Sequence, residues 1–180
     1  SLFMGTNDGG LAAVAYGPCE VKTTVADGVA ITVTETTNYP FEGTVVFEIQ
    51  LERSCTFAFQ LRIPEWAANA TVAVNGEATT VTQAGSFYAI QREWHSGDRV
   101  EIEFPLTVRV TSGHEGLVSV YRGALLFGLR IDEDWRKLKG DEPHADWEIY
   151  PKSAWNYGLN IQPDQLKDAF EVVSKPMSTM

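Results

Sequence analysis

Hydrophobic and polar residues alternate one by one over most of the first two thirds of the chain, as they do in half-buried β-strands. The alternation is clearest in residues 29–33, 45–51, 57–63 and 100–104, where every second side chain is Val, Ile, Leu or Phe. Turn residues separate these segments, and Asn75-Gly76 suits the positive φ angles of a two-residue hairpin loop. No intervening segment has the length and period of a crossover helix. The pattern predicts an all-β fold, an antiparallel, jelly-roll-like β-sandwich.

The composition of the chain changes from apolar to polar near residue 131. Residues 117–131 are almost continuously apolar, which is typical of a central strand or strand pair, with Gly123 as a bulge. From Asp132 onward the chain is polar, is punctuated by prolines and carries three of the five tryptophans. We therefore predict a sandwich over residues 1–131. Residues 132–180 form either an irregular, aromatic-rich C-terminal tail or the start of a second β-region, and within them residues 163–173 fit a helical turn or another strand.

The strand predicted to end at Ile63 is followed at once by Pro64 and, two residues later, by Trp66. Proline has no amide hydrogen, so the ladder of hydrogen bonds ends there. The indole ring of Trp66 then either closes the open end between two sheets or offers a platform for a ligand. We favour the first interpretation, because burying an indole removes about 150–250 Å² from water.

Composition and charge narrow the range of partners. The chain has 180 residues, of which 44% are hydrophobic and 21% are charged, as in ordinary globular proteins. Its net charge of −10 repels a phosphate backbone and argues against nucleic acid. No stretch reaches the roughly 18–20 apolar residues that a membrane span needs. The chain begins with Ser-Leu-Phe and shows no leader peptide, so we expect a fragment of a longer protein.

The cysteines and the turn carboxylates form no recognisable catalytic constellation. Cys19 and Cys55 lack the CxxC spacing of metal ligands. Two cysteines allow a single disulfide, but we favour two free, buried thiols, and the sequence does not decide whether the two are paired. Glu42, Glu93 and Asp98 lie in or beside turns, whereas a glycosidase needs two carboxylates held face to face. Asp98 follows a glycine in a turn, where aspartate commonly hydrogen-bonds its own backbone.

The three histidines also carry no site. His95, His114 and His144 lie in separate loops, without the i, i+4 spacing of a helical metal site. The sequence contains neither a Gly-x-Ser-x-Gly elbow nor a phosphate-binding glycine loop. We therefore predict no catalytic, cofactor-binding or metal-binding residue in this chain.

The C-terminal tryptophans are the strongest candidates for a contact site. Trp135, Trp147 and Trp155 crowd a polar segment rather than an alternating strand. Such rings pack against another domain, stack on a sugar or belong to an ordinary core, and we favour the first. Asn156, beside Trp155, can hydrogen-bond in each of these cases. The predicted contact residues are thus Trp135, Trp147, Trp155 and Asn156.

Four motifs occur in a fixed order: "TNYPFEGTVVFEI", "FQLRIPEWAANATVAVNGE", "REWHSGDRVEIEFPL" and "VYRGALLFGL". Over roughly residues 9–160 the chain resembles the region that follows the catalytic barrel in the β-L-arabinofuranosidase family of glycoside hydrolases, family 127 and its relatives. Ala124 stands where the last motif has proline in that family. "DWEIYPKSAWNYGL" resembles the Trp-Asn-Tyr segment of larger bacterial members.

The resemblance implies that the chemistry belongs to an N-terminal (α/α)6 barrel with a zinc-bound cysteine nucleophile, none of whose residues maps onto this chain. It implies a non-catalytic accessory domain of a bacterial glycoside hydrolase, which packs on the catalytic barrel of the parent chain and stabilises it. A secreted or periplasmic location follows from the same resemblance. The alternative is a carbohydrate-binding module that recognises plant-type glycans through exposed aromatic rings.

Overall fold

A computed structural model describes residues 2–81, 83–160, 165 and 169–175. The described residues form fifteen strands and a 3-10 turn at His114–Gly116, with almost no helix, which confirms the predicted all-β class. Within residues 163–173, predicted as a helical turn or a strand, residues 163–164 and 166–168 lie outside the described residues, and residues 170–173 have no regular secondary structure. The strands are β1 (Phe3–Gly5), β2 (Leu11–Ala13), β3 (Cys19–Val25), β4 (Val29–Thr37), β5 (Thr44–Leu51), β6 (Cys55–Ile63), β7 (Ala70–Val74), β8 (Glu77–Val81), β9 (Ser86–Trp94), β10 (Arg99–Glu103), β11 (Val108–Ser112), β12 (Val118–Arg122), β13 (Leu125–Phe127), β14 (Glu133–Lys139) and β15 (Asp146–Pro151).

Backbone packing groups Ser1–Thr107 with Arg122–Leu125 in one compact unit, called the sandwich unit below. A four-stranded sheet in the order β1-β2-β6-β9 faces a six-stranded sheet in the order β3-β4-β5-β10-β7-β8. Neighbouring strands run antiparallel except β2 and β6, which run parallel with Leu11 opposite Phe59. The predicted β-sandwich is confirmed, and this parallel pair is its one departure from an antiparallel arrangement.

Aromatic side chains from both sheets meet in the core between them. Phe47 on β5 and Phe59 on β6 are fully buried, with ring centroids 5.3 Å apart in an edge-to-face arrangement. Trp94 at the end of β9 is also fully buried, and its Nε1 donates a hydrogen bond of 3.1 Å to the carbonyl of Phe57. The alternating apolar positions seen in the sequence therefore face inward, as predicted.

The predicted two-residue hairpin loop joins β7 and β8. Asn75 and Gly76 have φ angles of 51° and 90°, and Val74 lies opposite Glu77. Both central residues of a type I′ turn require positive φ, which glycine and asparagine adopt most readily. This prediction is confirmed.

Val108–Tyr121 and Leu126–Met180 form the other compact unit, called the second unit below. Its strands belong to a three-stranded sheet, β11-β12-β13, and to the hairpin β14-β15. The segment predicted as an irregular tail or as the start of a second β-region contains this hairpin, and residues 154–160 after it have no regular secondary structure. The predicted domain boundary after residue 131 is not decided by this grouping and stays a prediction.

Residues 117–131 form a strand pair, as one of the two alternatives predicted. Gly123 lies in the tight turn between β12 and β13 with φ at 56°, so the predicted bulge at this position is wrong. Its positive φ serves the reversal of the chain rather than a local irregularity within one strand. Within the described part of the chain, no helical segment has the length and apolar character needed to span a bilayer.

Candidate functional site

Trp66 lies just beyond the end of β6, where Pro64 stops the strand. The indole is half-buried, and its ring centroid is 5.7 Å from that of Phe104 at an interplanar angle of 61°. A Cβ atom added to Gly123 would lie 3.4 Å from Cη2 of Trp66 and 2.5 Å from Cδ2 of Leu106, so a side chain there would crowd both. Trp66 packs against the core. This confirms the interpretation that its indole ring closes the open end between the two sheets.

Two tyrosines extend the aromatic cluster from Phe104 along the same end of the core. The rings of Tyr16 and Tyr39 lie 5.2 Å and 5.9 Å from Phe104, and 5.9 Å from each other. The hydroxyl of Tyr16 donates a hydrogen bond of 2.6 Å to the carbonyl of Arg62. This bond joins the segment after β2 to the end of β6, just before Pro64.

Glu35 is a buried carboxyl group beside this cluster, and the sequence analysis did not identify it. It lies on β4 in the inward series of Val29, Ile31 and Val33, and only 2% of its surface is exposed. The backbone N–H of Gly17 donates a hydrogen bond of 2.8 Å to its Oε1. The signal available in the sequence was a glutamate in the inward phase of an alternating strand.

Burial raises the pKa of Glu35 to about 7, against an ordinary value of 4.5. The hydrogen bonds from Gly17 and from the thiol of Cys19, which is 3.8 Å from Oε2, only partly oppose this rise. Burial, and then the charge of Glu35, also raises the pKa of Tyr16. Removal of either group from water disfavours its charged form, the carboxylate of Glu35 or the phenolate of Tyr16, and this is the main cause in both cases.

A raised carboxyl pKa is common at catalytic acids, but the position of Glu35 argues for a structural role. At 2% exposure the carboxyl group is closed off from solvent, with Tyr16 and the backbone of Gly17 beside it. A general acid must reach the atom that it protonates. Glu35 therefore acts on the stability of the sandwich rather than on a ligand.

Asp98 closes the turn between β9 and β10. Its carboxylate accepts hydrogen bonds of 2.9 Å from the backbone N–H of His95 and 2.8 Å from the side chain of Asn75. Burial raises the pKa of Asp98, but these bonds, together with the charge of Arg92, outweigh it and hold the pKa below its usual value. The predicted turn role of Asp98 is confirmed.

We expect Asp98→Ala to lower the free energy of unfolding by about 1–3 kcal/mol at neutral pH, because two donors lose their acceptor. A carboxyl group with a lowered folded pKa stabilises above its unfolded pKa and loses that contribution as the pH falls. The difference from the wild type should therefore shrink in acid. Urea unfolding at about pH 7 and about pH 3 measures this. Asp27→Ala, at an exposed turn position, is the control and should change stability by less than about 0.5 kcal/mol.

The other polar candidates do not assemble into a site. Glu42 accepts a hydrogen bond of 3.1 Å from Asn38 within its own turn, and Glu93 is exposed on β9. His114 contacts Glu115 at 3.4 Å in the exposed 3-10 turn. Across the residues that the structure describes, no group of three or more His, Cys, Asp or Glu side chains could hold a metal ion. The predicted lack of a cofactor stays an expectation.

The two cysteines are free, as predicted, although both are half-buried rather than buried. Cys19 lies on β3 and Cys55 on β6, so they belong to opposite sheets. Burial raises the pKa of each thiol. A raised pKa leaves less of the reactive thiolate, so neither side chain has the character of a catalytic nucleophile.

The structure brings two of the predicted tryptophans together on the hairpin β14-β15. Trp135 lies opposite Ile149 and Lys137 opposite Trp147, so the four side chains share one face of the hairpin. The two indole rings are 6.1 Å apart with an interplanar angle of 74°. They are 54% and 40% exposed, which leaves an aromatic surface without a covering layer in the described residues.

Charged groups occupy the opposite face of the same hairpin. The guanidinium of Arg136 lies 4.4 Å from the ring centroid of Tyr150 and 2.9 Å from Asp134. Lys152 approaches Asp134 at 3.4 Å. The hairpin is therefore polar on this face and aromatic on the other.

Trp155 and Asn156 follow the hairpin in the segment without regular structure, and both are exposed. With Ile149 and Pro151, Trp155 lines a small cavity of about 290 Å³ beside the aromatic face. Its ring also borders a groove of about 900 Å³ within the second unit, together with Leu117, Phe127 and Tyr157. The structure thus places Trp155 near the hairpin face, while Asn156 contributes only an exposed amide.

The comparisons with known proteins agree with one another. The family model for the β-L-arabinofuranosidase GH127 middle domain matches residues 10–106. The fold is similar to that of Ara127N-Se, a GH127 β-L-arabinofuranosidase from Geobacillus stearothermophilus T6, with a TM-score of 0.63 and 24% identity over 90% of this chain. It is also similar to a glycoside hydrolase, with a TM-score of 0.60 and 22% identity over 86% of this chain. No curated protein matches.

A GH127 β-arabinofuranosidase, BT3674, is similar over 81% of this chain, with a TM-score of 0.59 and 21% identity. At these identities the likeness establishes the fold. The chain spans only 30%, 31% and 29% of the length of the three solved structures.

Proposed function

Because this chain belongs to the family of GH127 middle domains, we propose that it is a non-catalytic accessory domain that packs on the catalytic barrel of a bacterial glycoside hydrolase and stabilises it. The parent protein is secreted or periplasmic in this proposal. The observation that carries it is the distribution of exposed apolar side chains. Of eighteen large hydrophobic residues that are exposed among the described residues, fifteen lie between residues 117 and 173.

Exposure on this scale is unusual for a surface that faces water. Leu117, Trp155 and Tyr157 are 70%, 66% and 68% exposed and border the same groove in the second unit. A contiguous apolar surface of this kind marks a site where another protein surface packs. The chain spans about 30% of the length of its structural relatives. We therefore propose that the rest of the parent protein is what packs on this surface.

The test compares the isolated chain with the full-length parent enzyme. Leu117→Asp should leave the thermal unfolding of the isolated chain unchanged, because the position is already in water. In the full-length enzyme it should reduce stability by at least about 2 kcal/mol, because a charge is buried without a partner. Thr80→Asp, at an exposed position on β8, is the matched control. Equal stability of both variants in the full-length enzyme would contradict the proposal, as would hydrolysis of an aryl arabinoside by the isolated chain.

A second candidate function rests on the exposed pair of Trp135 and Trp147. Indole rings on a hairpin face stack on sugar rings, and Glu133 and Lys137 on the same face offer groups that hydrogen-bond hydroxyls. A carbohydrate-binding module would change its tryptophan fluorescence on titration with arabinan oligosaccharides, and Trp135→Ala would abolish the change. An accessory domain gives no change with either protein, which is the result that we expect.

A further inference from the structure

The tip of the β7-β8 hairpin carries a chemically reactive pair of residues. Asn75-Gly76 is the only place in the sequence where asparagine precedes glycine. At such a pair the backbone nitrogen of the glycine can attack the side-chain carbonyl carbon of the asparagine, because glycine has no side chain to hinder the approach. Both residues are exposed, so water reaches the tip. By sequence, Asn75 is therefore the asparagine of this chain that is most prone to lose its amide.

Hydrogen bonds from the neighbouring β9-β10 turn hold the amide of Asn75 at both of its ends. Its Nδ2 donates a bond of 2.8 Å to Oδ1 of Asp98, and its Oδ1 accepts one of 2.8 Å from the backbone N–H of Arg99. The backbone N–H of Asn75 donates a third bond, of 2.9 Å, to the carbonyl of Arg99. Asp98 is itself fixed, because its Oδ2 accepts a bond of 2.9 Å from the backbone N–H of His95. The three bonds of Asn75, called the latch below, join the two turns.

The latch opposes the motion that the reaction needs. The side-chain carbonyl carbon of Asn75 must turn onto the backbone nitrogen of Gly76, and this rotation breaks the bonds of the amide to Asp98 and Arg99. We propose that Asn75 is a latent deamidation site, which the latch keeps unreactive in the folded chain and which reacts when the two turns part.

The reaction needs no reagent other than water. The nitrogen of Gly76 forms a bond to Cγ of Asn75, the C–N bond of the side-chain amide breaks, and ammonia leaves with the proton of the Gly76 N–H. One water molecule then opens the five-membered imide at either of its carbonyl carbons. The product carries aspartate or isoaspartate in place of Asn75, and nothing is oxidised or reduced.

Deamidation also disables the latch that delays it. An oxygen takes the place of Nδ2, so the carboxylate of Asp98 loses a donor and faces a second carboxylate at hydrogen-bonding distance. Like charges this close repel each other. Isoaspartate adds an atom to the backbone as well, which the two-residue loop between Val74 and Glu77 does not accommodate. The modified hairpin therefore does not close again.

The first experiment follows the loss of the Asn75 amide by peptide mass spectrometry while the chain is incubated at mildly alkaline pH. We expect the folded wild type to react at least about tenfold more slowly than the same chain in urea, since reaction requires local opening. Asp98→Ala should accelerate the reaction of the folded chain by about fivefold or more, because the amide loses its charged acceptor.

Leu61→Ala is the control for this rate. Leu61 is fully buried in the other sheet, opposite Tyr88, so its truncation weakens the whole sandwich without touching the latch. We expect its rate to stay at that of the wild type. Equal rates in the folded and unfolded wild type would overturn the proposal, as would an unchanged rate in Asp98→Ala. Equal acceleration by Leu61→Ala and Asp98→Ala would also overturn it, because reaction would then follow global unfolding.

A charge swap tests the latch independently of the reaction, and its result does not depend on the folding of Asp98→Ala. Asn75→Asp reproduces the product and should lower the urea midpoint, since two carboxylates then meet. In Asn75→Asp/Asp98→Asn the amide nitrogen faces the introduced carboxylate, and the amide oxygen still accepts the bond from His95. We expect this double variant to recover most of the lost midpoint. A double variant no more stable than Asn75→Asp would contradict the contact, and the proposal with it.

Discussion

Trp94→Ala is expected to lower the free energy of unfolding of the sandwich by about 3–5 kcal/mol, the range for removal of a buried aromatic side chain. The indole is fully buried and packs against both Phe57 and Phe59, with ring centroids 5.8 Å and 6.1 Å away. The substitution also leaves the carbonyl of Phe57 without the donor at Nε1, which adds about 1 kcal/mol. Because small domains are stable by only about 5–15 kcal/mol, this change removes a large part of the total.

Urea unfolding followed by far-ultraviolet circular dichroism measures this loss. Trp155→Ala is the matched control, since it removes the same side chain from a position that is 66% exposed. We expect it to change the stability of the isolated chain by less than about 0.5 kcal/mol. Similar losses for the two variants would show that Trp94 is not part of the core.

Glu35→Gln is expected to make the sandwich more stable at neutral and alkaline pH and to leave its stability unchanged in acid. The folded pKa of Glu35 is raised to about 7 from 4.5. Above its unfolded pKa the unfolded chain has released this proton while the folded chain still holds it, so the wild type loses stability as the pH rises from about 4.5 to 7. The loss amounts to about 3 kcal/mol once the pH exceeds both values.

Glutamine removes this proton equilibrium while its amide oxygen can still accept the hydrogen bond from Gly17. The variant should therefore be more stable than the wild type by up to about 3 kcal/mol at about pH 8, and equally stable at about pH 4. Denaturant unfolding at both pH values gives the difference directly. Glu48→Gln, exposed on the outer face of β5, is the control and should show no such dependence. A Glu35→Gln variant that is less stable than the wild type at about pH 8 would contradict the assignment.

The sandwich could be predicted because its long strands have one buried face. In β5, β6 and β10 the inward positions are occupied by Val, Ile, Leu and Phe, so the period of two is visible in the sequence. Glu35 was missed for the same reason. It occupies an inward position of β4, but a glutamate at the end of an alternating series looks like the point where burial stops. Only the contacts of Gly17 and Cys19 show that burial continues there.

Two features of the fold could not be predicted from the pattern. Strand β2 is only three residues long and is buried at every position, so it has no period, and its parallel partner β6 lies more than forty residues away. The hairpin β14-β15 is exposed at nearly every position, so it has no buried face that would select one residue type at every second place. Pairing in both cases depends on tertiary context rather than on local sequence.

The candidate contact residues were partly predictable. The crowding of Trp135, Trp147 and Trp155 in a polar segment was visible in the sequence, but their arrangement was not. The register of the hairpin shifts by one residue between Lys137 and Lys139. Counted from the turn without this shift, Trp147 would not lie opposite Lys137 and would point to the other face of the hairpin from Trp135. Their role in contact with a barrel or a sugar stays a prediction.

The position of β10 between β5 and β7 affects how this chain folds while it is being synthesised. Until residues 99–103 have been synthesised, the neighbouring strands of the six-stranded sheet each present an unpaired row of N–H and C=O groups. Such open edges recruit strands from other molecules, so nascent or truncated chains that end before Arg99 are the species most prone to aggregate. Expression boundaries for this domain should therefore lie beyond Glu103, where the insertion that closes the sheet is complete.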